Sequence, residues 1–596
     1  MFLRCHPRIK DGQDHRYWNI VENRRCGRGK VVQRQVLYLG EINDSQRESW
    51  CRTIAVFDEQ REQTLPLALF PADRQLPNFA ADFGVQVRLK EMELHRPRQW
   101  GACWLACHLY EQLELDEFWV ERLANSREGT CWQHILQTLV CYRLIDPGSE
   151  WRLHRQWFEQ SAMGDLLEED FSLVEKNALY RCLDQVLKHK EQLFGHLRQR
   201  WQDLFGAHFD VLLYDLTSTY FESDPPFEET DKRRFGYSRD KRSDCVQVVI
   251  GLILTPEGFP LAYEVFPGNT SDKTTLRGFL RKIEEQYGKA ERVWLMDRGI
   301  PTEEVLREMR SSVPPIYYLV GTPKGRLSKL EADLLACPWQ RVRPGVDVKI
   351  LPQENELYVF AQSHDRLNKE RAMRRRQLKA LWKRLGQLQQ MKLKARELLL
   401  KLGEARGLYR AAWRFIDIQY PEPTTAGIAS FRFTLNRQKL RQVRRREGRY
   451  LLRTNLCGRD PAQLWELYIR LVEIEAAFKN LKDDLVLRPI YHQREHRIEA
   501  HIFVAFMAYC LHVTLRARLL PLAPGLTPRA VLDKLAAIQM LDVHFPMTDG
   551  RTLILSRYTH PEPDQKILLE QLNLTLPAQP PPRISSGRKL LIKPEK

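Results

Sequence analysis

Two aspartates stand where a core-forming chain has little use for a charge. Asp215 ends the apolar run VLLYDL, and Asp297 ends VWLMD. An ionised carboxylate at the end of such a strand is costly unless something at the rim of the sheet uses it. Open α/β sheets do their chemistry at the carboxyl ends of strands. Taken singly, each aspartate reads equally well as a helix cap or a turn residue. A third acid, Glu475, lies in LWELYIRLVEIEAAFKNLKDDL. There Leu467, Leu471, Ile474, Phe478, Leu481 and Leu485 recur at four- and three-residue steps, the signature of one buried helix face. Glu475 sits beside that stripe, with Tyr468 two turns before it and Lys482 two turns after. By itself it is an ordinary helix-surface acid. Three carboxylates around one point repel, and hard divalent cations relieve that repulsion. Mg²⁺ or Mn²⁺ takes oxygen ligands and leaves room for water and phosphate. Two such ions, about 3.5–4 Å apart, can activate a water or a DNA 3′-hydroxyl and stabilise the leaving oxygen. Lys482 would then hold the neighbouring phosphate as a point charge.

These residues need elements to carry them. From Phe209 to Gly321 the pattern reads strand, a two-stranded hairpin (VQVVIGLIL, TPEG, FPLAYEVF), helix, strand, helix, strand. That is the element order of a ribonuclease-H-like fold, although many α/β folds begin in the same way. The expected fold is therefore α/β. A ribonuclease-H-like mixed-sheet catalytic core is interrupted by a basic α+β insertion and preceded by a small β unit and a helical region. The expected divisions are a β-hairpin unit over 1–60 and a helical region over 95–205. The core's first part covers 209–322, the insertion 323–460, and the core's second part, with the glutamate helix, 461–520. A short strand-like tail covers 521–596. Leu464 to Leu485 is expected as a single helix. The helical region could hold a DNA reader or serve equally as a packing module. The cluster RAMRRRQLKALWKRLGQLQQMKLKARELLLKL favours phosphate contact over a merely solvated helix face.

With the three acids in hand, the chain resembles the DDE transposases of bacterial insertion sequences, in the IS-four group and its IS-sixteen-thirty-four branch. The likeness is carried by RYWNIVENRRCGRGKVVQRQVLYLG, YDLTSTYFE, FPLAYEVFPGNTSDKTTL, VWLMDRGI, YLLRTN, EIEAAFKNLKDDLVLRPIYHQREHRIEAHIFVAF and TDGRTLILSRYT. It implies a ribonuclease-H-like core with Asp215, Asp297 and Glu475 as the catalytic, metal-holding triad. It also implies two Mg²⁺ or Mn²⁺ ions, double-stranded DNA as substrate (terminal inverted repeats and target), and a homodimer in the synaptic complex. Tyr468 and Lys482 match the group's strand-positioning pattern around the glutamate. The pattern's arginine falls on Leu471, with Arg470 its neighbour, and this departure bears on whether a hairpin intermediate forms. In GNTSD, Asn269, Thr270 and Asp272 are candidates for contacting the substrate strand or supporting Asp215. A plain β-to-α turn explains them nearly as well. His492 and His501 read as hydrogen-bonding core or DNA-proximal histidines rather than catalytic bases.

The whole chain agrees with a polyanionic partner. Its 596 residues carry a formal net charge of +17, which favours nucleic acid over an anionic membrane. The 12 cysteines are scattered, and Cys103 and Cys107 lack a second pair at ligand spacing, so free buried thiols are expected. The longest apolar run, Phe503 to Leu515, is too short to span a bilayer. A cytoplasmic protein is expected. Two rivals to a cut-and-paste enzyme stay open at this point: a ribonuclease-H-like nuclease without strand transfer, and a protein that occupies the repeats without cutting.

Overall fold

The computed structural model describes residues 2–585 apart from short interruptions, the longer of which are 26–30, 42–53, 73–81, 225–230, 323–329 and 421–428. The chain opens with an antiparallel sheet of β1 (Phe2–Lys10), β2 (Gln13–Arg25) and β3 (Val31–Glu41). Four further strands follow: β4 (Ile54–Asp58), β5 (Gln63–Pro71), β6 (Gly84–Val87) and β7 (Glu93–Gln99). Helices then dominate to Phe205, among them Gly101–Gln112, Trp132–Ile145, Lys176–Val186 and Lys190–Phe205.

The catalytic sheet begins with β8 (Val211–Phe221), β9 (Val246–Leu254) and β10 (Pro260–Pro267), joined in antiparallel register. All nine residues of β9 are buried, as a strand with a neighbour on either side requires. The helix Asp272–Tyr287 leads to β11 (Val293–Met296), and the helix Glu303–Ser311 to β12 (Tyr317–Gly321). β11 runs parallel to both β8 and β12. The order β10-β9-β8-β11-β12 is that of a ribonuclease-H-like core.

The segment after β12 continues this sheet. β13 (Gln340–Arg343), β14 (Val346–Gln353) and β15 (Glu356–Ser363) form a meander. The helices His364–Gln390 and Ala395–Leu408 follow, packed with a separate two-stranded sheet of β16 (Ile416–Gln419) and β17 (Arg432–Leu435). The chain returns as β18 (Arg449–Thr454), which lies antiparallel between β12 and β15 and completes a nine-stranded sheet. Its exit is pinned to β12. The Thr454 hydroxyl donates to the Tyr318 carbonyl at 2.6 Å, and Asn455 accepts from the Tyr318 amide at 2.8 Å while donating to the Ile316 carbonyl at 3.0 Å.

Beyond this point the expected single helix is two, Pro461–Ile469 and Leu471–Lys479, with the break at Arg470. The second ends in a wide turn, Asn480–Asp484, closed by the Leu485 amide donating to the Asn480 carbonyl at 2.9 Å. The long helix Glu495–Leu522 is apolar enough to cross a membrane by length and composition, but its apolar stretch is buried against the helical region and the sheet. The stretch read as a tail is structured over its described residues, to Ser585. β19 (Gln539–Pro546), β20 (Thr552–Tyr558) and β21 (Arg583–Ser585) join β4–β7 in a seven-stranded sheet, order β6-β5-β4-β21-β20-β19-β7.

Candidate active site

Strand register brings the two aspartates together. Met296 of β11 is opposite Tyr214 of β8, so Asp297 and Asp215, one residue further on, sit side by side where β11 ends. Asp215 is not at a strand end as expected, since β8 runs on to Phe221. Neighbouring strands lie about 4.8 Å apart. Tyr214 points to the face covered by the helix Asp272–Tyr287. Its hydroxyl donates to Thr275 at 2.8 Å and its ring packs on Phe279. Asp215, the next residue, therefore faces the opposite layer. On that layer Tyr263 of β10 packs against Phe506 of the long apolar helix, and Leu471–Lys479 packs on β8.

That helix buries Ile474, Ala477 and Phe478 and leaves Glu475 exposed. Glu473 is committed elsewhere, to Arg516 at 2.7 Å, whereas Glu475 makes no ion pair among the described residues. Asp297 is exposed and Asp215 half-buried. Burial raises the Asp215 carboxyl to about 7. The charges of Asp297 and Asp272 push the same way, while the Leu216 amide and the Arg239 guanidinium oppose them. Asp215, Asp297 and Glu475 are not drawn within 4.8 Å of one another as a set. The aspartates share one strand edge, and the glutamate helix borders it.

Asp272 heads its helix and accepts from Arg239 at 2.6 Å, which places it in the electrostatic surroundings of Asp215. Asn269 is exposed in the preceding turn, and Thr270 closes that turn by donating its amide to the Pro267 carbonyl. Tyr468 is in a different environment. Its ring packs with Tyr450 and Trp465, centroids 5.5 and 6.0 Å away, next to the strand that ends the insertion. Arg470 is exposed at the helix break. Tyr468, Glu475 and Lys482 thus do not lie on one straight cylinder, because the break and the wide turn each rotate the residues beyond them.

Lys482 donates to Asp240 at 3.0 Å, and Arg488 pairs with the same carboxylate oxygen. Asp240 belongs to the link between β8 and β9, which sequence reasoning passed over. Its only signal was the dense charge of RRFGYSRDKRSD between two apolar strands. Lys232 of this link pairs with Glu499 at 3.3 Å, and Arg233 donates to Gln493 at 2.9 Å. The link also packs backbone to backbone on the GNTSD turn. A Cβ on Gly236 would lie 2.1 Å from the Gly268 carbonyl oxygen, and one on Gly268 2.0 Å from that of Gln247, so only glycine fits either place.

A second polar cluster lies away from this edge. Glu150 accepts at 3.2 Å from His492 and 3.3 Å from His501, and Arg143 stands 3.5 Å from His501 while donating to the Val486 carbonyl at 3.2 Å. One carboxylate and two imidazoles within 4.8 Å form a candidate metal-binding cluster. The histidine partners hold the buried Glu150 carboxyl well below the usual range, against the opposing effect of burial, and burial with Arg143 lowers His501 to about 4. A third group, Cys131, His134 and Glu169, is half-exposed on the helical region.

A model of the transposase DDE domain matches residues 206–511, more than half of the chain and all of the strands and helices just described around Asp215, Asp297 and Glu475. The chain belongs to the DDE transposases. The N-terminal domain of the IS1634 family of transposases matches residues 4–63, which ties it to the insertion-sequence branch of the family. No curated protein matches the chain. Among solved structures, a piggyBac transposase synaptic complex with hairpin DNA is similar over 73% of this chain and 77% of the other, at 9% identity and a TM-score of 0.32. As a DDE transposase the chain is an enzyme of the polynucleotidyl-transferase kind, built on a ribonuclease-H-like core.

Proposed function

We propose that the chain binds the terminal inverted repeats of its own insertion sequence and moves the element by cut-and-paste phosphoryl transfer. The observation that carries this reading is the register that sets Asp215 of β8 beside Asp297, at the end of the parallel strand β11, within a region that matches the DDE domain. The donor set fits a hard divalent cation. All three candidate ligands are carboxylates, two of them open to solvent, and the like charges of Asp297 and Asp272 bear on Asp215. Mg²⁺ or Mn²⁺, two ions being expected, would be held by Asp215, Asp297 and Glu475. When bound, the metal supplies Lewis-acid activation of the attacking and leaving oxygens.

The chain's own groups do the rest. Asp215 and Asp297 fix one side of the site to the rigid sheet, and Glu475 closes it from the neighbouring helix. Lys482 binds backbone phosphate. Asn269, Thr270 and Asp272 support the turn beside Asp215, while Tyr468 and Arg470 line the approach from the insertion. Water attacks the phosphodiester at each end of the element and frees a 3′-hydroxyl, which then attacks target DNA. Handling both ends together calls for a homodimer on DNA, and the chain would act in the cytoplasm. Backbone contact by the insertion is supported by Arg375, Lys379 and Lys383, exposed at four-residue steps along His364–Gln390.

The test is cleavage of a labelled duplex carrying the terminal repeat by the protein and its Glu475→Gln variant, in Mg²⁺ and in EDTA. Cutting at the repeat boundary, lost in both the variant and EDTA, is the expected result. Equal binding by both proteins with no cutting under any metal would leave a repeat-binding protein in place of an enzyme.

A further inference from the structure

The charged link between β8 and β9 has more order than a solvated loop requires. The Asp240 side chain is only 12% exposed, and one of its oxygens takes both Lys482 and Arg488. Its other oxygen is buried with no donor among the described residues. Lys482 is itself 10% exposed. Burying a carboxylate is costly unless it is well paired, and Asp240 holds two cations, of which Arg488 also reaches the more exposed Asp483 at 3.6 Å. Arg239, the preceding residue, adds a third cation. Its amide donates to Ser218 of β8 at 3.3 Å, its side chain reaches Asp272, and its charge is felt by both Asp215 and Lys482. Arg488 also lies over the ring of Tyr220, further along the strand that carries Asp215. The cations therefore follow β8 away from the acidic edge, and they come from two separate chain segments, the β8–β9 link and the stretch after the glutamate helix.

We infer that Asp240 is a positioning residue that holds Lys482 and Arg488 as a two-cation clamp for a backbone phosphate of the DNA strand entering the Asp215–Asp297 edge. This rests on the proposed reaction for its substrate but not for its first readout. Arg488 is the second phosphate ligand, a residue with the fork geometry to take two oxygens. Asp240 does not touch DNA. It fixes the direction of two long side chains that would otherwise lose considerable freedom on binding.

The experiment uses the full chain and a labelled duplex, with binding measured against salt and cleavage at saturating DNA in Mg²⁺. R488Q should lower the slope of log affinity against log salt by about one, the release of one phosphate contact. D240N should keep or raise affinity, since it removes a negative charge, yet lower the cleavage rate at saturation by about ten- to a hundredfold through a misplaced phosphate. In the K482Q/R488Q background the D240N change should have no further effect. D240E, which keeps the charge, should recover part of the rate and serves as the comparison if D240N melts early. An unchanged salt slope in R488Q overturns the clamp, as does a D240N loss that persists undiminished without the two cations. If the wild-type chain cuts nothing but R488Q still lowers the slope, the cleavage reading fails and the clamp stands. Normal cleavage with no effect of either variant has the opposite meaning.

Discussion

Two places in the molecule, one with a single acid and one with several, treat carboxylates in opposite ways. At the junction of the helical region with the long apolar helix, Glu150 is enclosed by His492 and His501, with Arg143 behind, and all four side chains are buried. Beside the end of β11, Asp215 of β8 has Arg239, Asp297 and Asp272 as electrostatic neighbours, and Asp297 and Glu475 are open to solvent. The first cluster joins parts of the chain and sets its acid against two imidazoles and a guanidinium. The second has excess negative charge at an accessible edge. Charge completed inside holds a fold together, and charge left incomplete at a rim is available to a ligand.

The sharpest way to break this comparison is to exchange the two classes of glutamate. Glu475→Gln should reduce metal-dependent cleavage by at least about a thousandfold, with little change in melting temperature because the side chain is exposed. Glu473→Gln, two residues away, should cut DNA within a few-fold of wild type. Similar losses in both would mean that the helix rather than the carboxylate is what matters.

Glu150→Gln should do the reverse. Leaving Arg143 without its acid in a buried place costs about 3–5 kcal/mol, read as a large fall in melting temperature. Metal dependence of whatever cleavage survives should be unaltered. A variant as stable as wild type would show that the junction does not depend on its charge.

Acid should attack the enclosed side. Burial lowers His501 to about 4, and His512, buried near Asn480, to about 4 as well. The unfolded chain takes up these protons below the ordinary value of 6.5, whereas the folded chain resists them. Their contribution is thus complete above that value and is lost as the pH falls towards 4, on the order of 2–3 kcal/mol for each. Melting followed from pH 7 to pH 4 should show the decline, and His512→Asn should make it shallower. A flat profile would remove burial as the cause. The smallest expected effect belongs to the exposed basic face. Lys379→Gln and Lys383→Gln should each lower the salt slope of DNA binding by about one, with no change in stability.

What the sequence made readable is local. VLLYDL, the hairpin of β9 and β10, and VWLMD each declare a strand by their own composition, and their order leaves few ways to assemble a sheet. Asp215 and Asp297 could be chosen because an acid closing an apolar run is itself conspicuous, although β8 continues past Asp215 to Phe221. The break at Arg470 was hidden, since apolar spacing continues through it and the turn at Asn480–Asp484 keeps the count close to helical. The pairing of β18 with β12 could not be seen either, because nothing in YLLRT names a partner 130 residues earlier. Asp240 was missed for a related reason. Its role depends on Lys482 and Arg488, more than 240 positions away, and an aspartate among arginines looks like any surface loop.

The seven-stranded sheet has a consequence for how the molecule is made. β21 lies between β4 and β20, running parallel to the first and antiparallel to the second. Residues 583–585 therefore form the middle of a sheet that includes β4, whose residues 54–58 are made long before them. Until residues 583–585 have been synthesised, β4 keeps an unpaired edge, the kind of surface that invites aggregation or proteolysis. A stalled or prematurely terminated chain is marked as defective by its own architecture, and only a polypeptide translated this far conceals the mark.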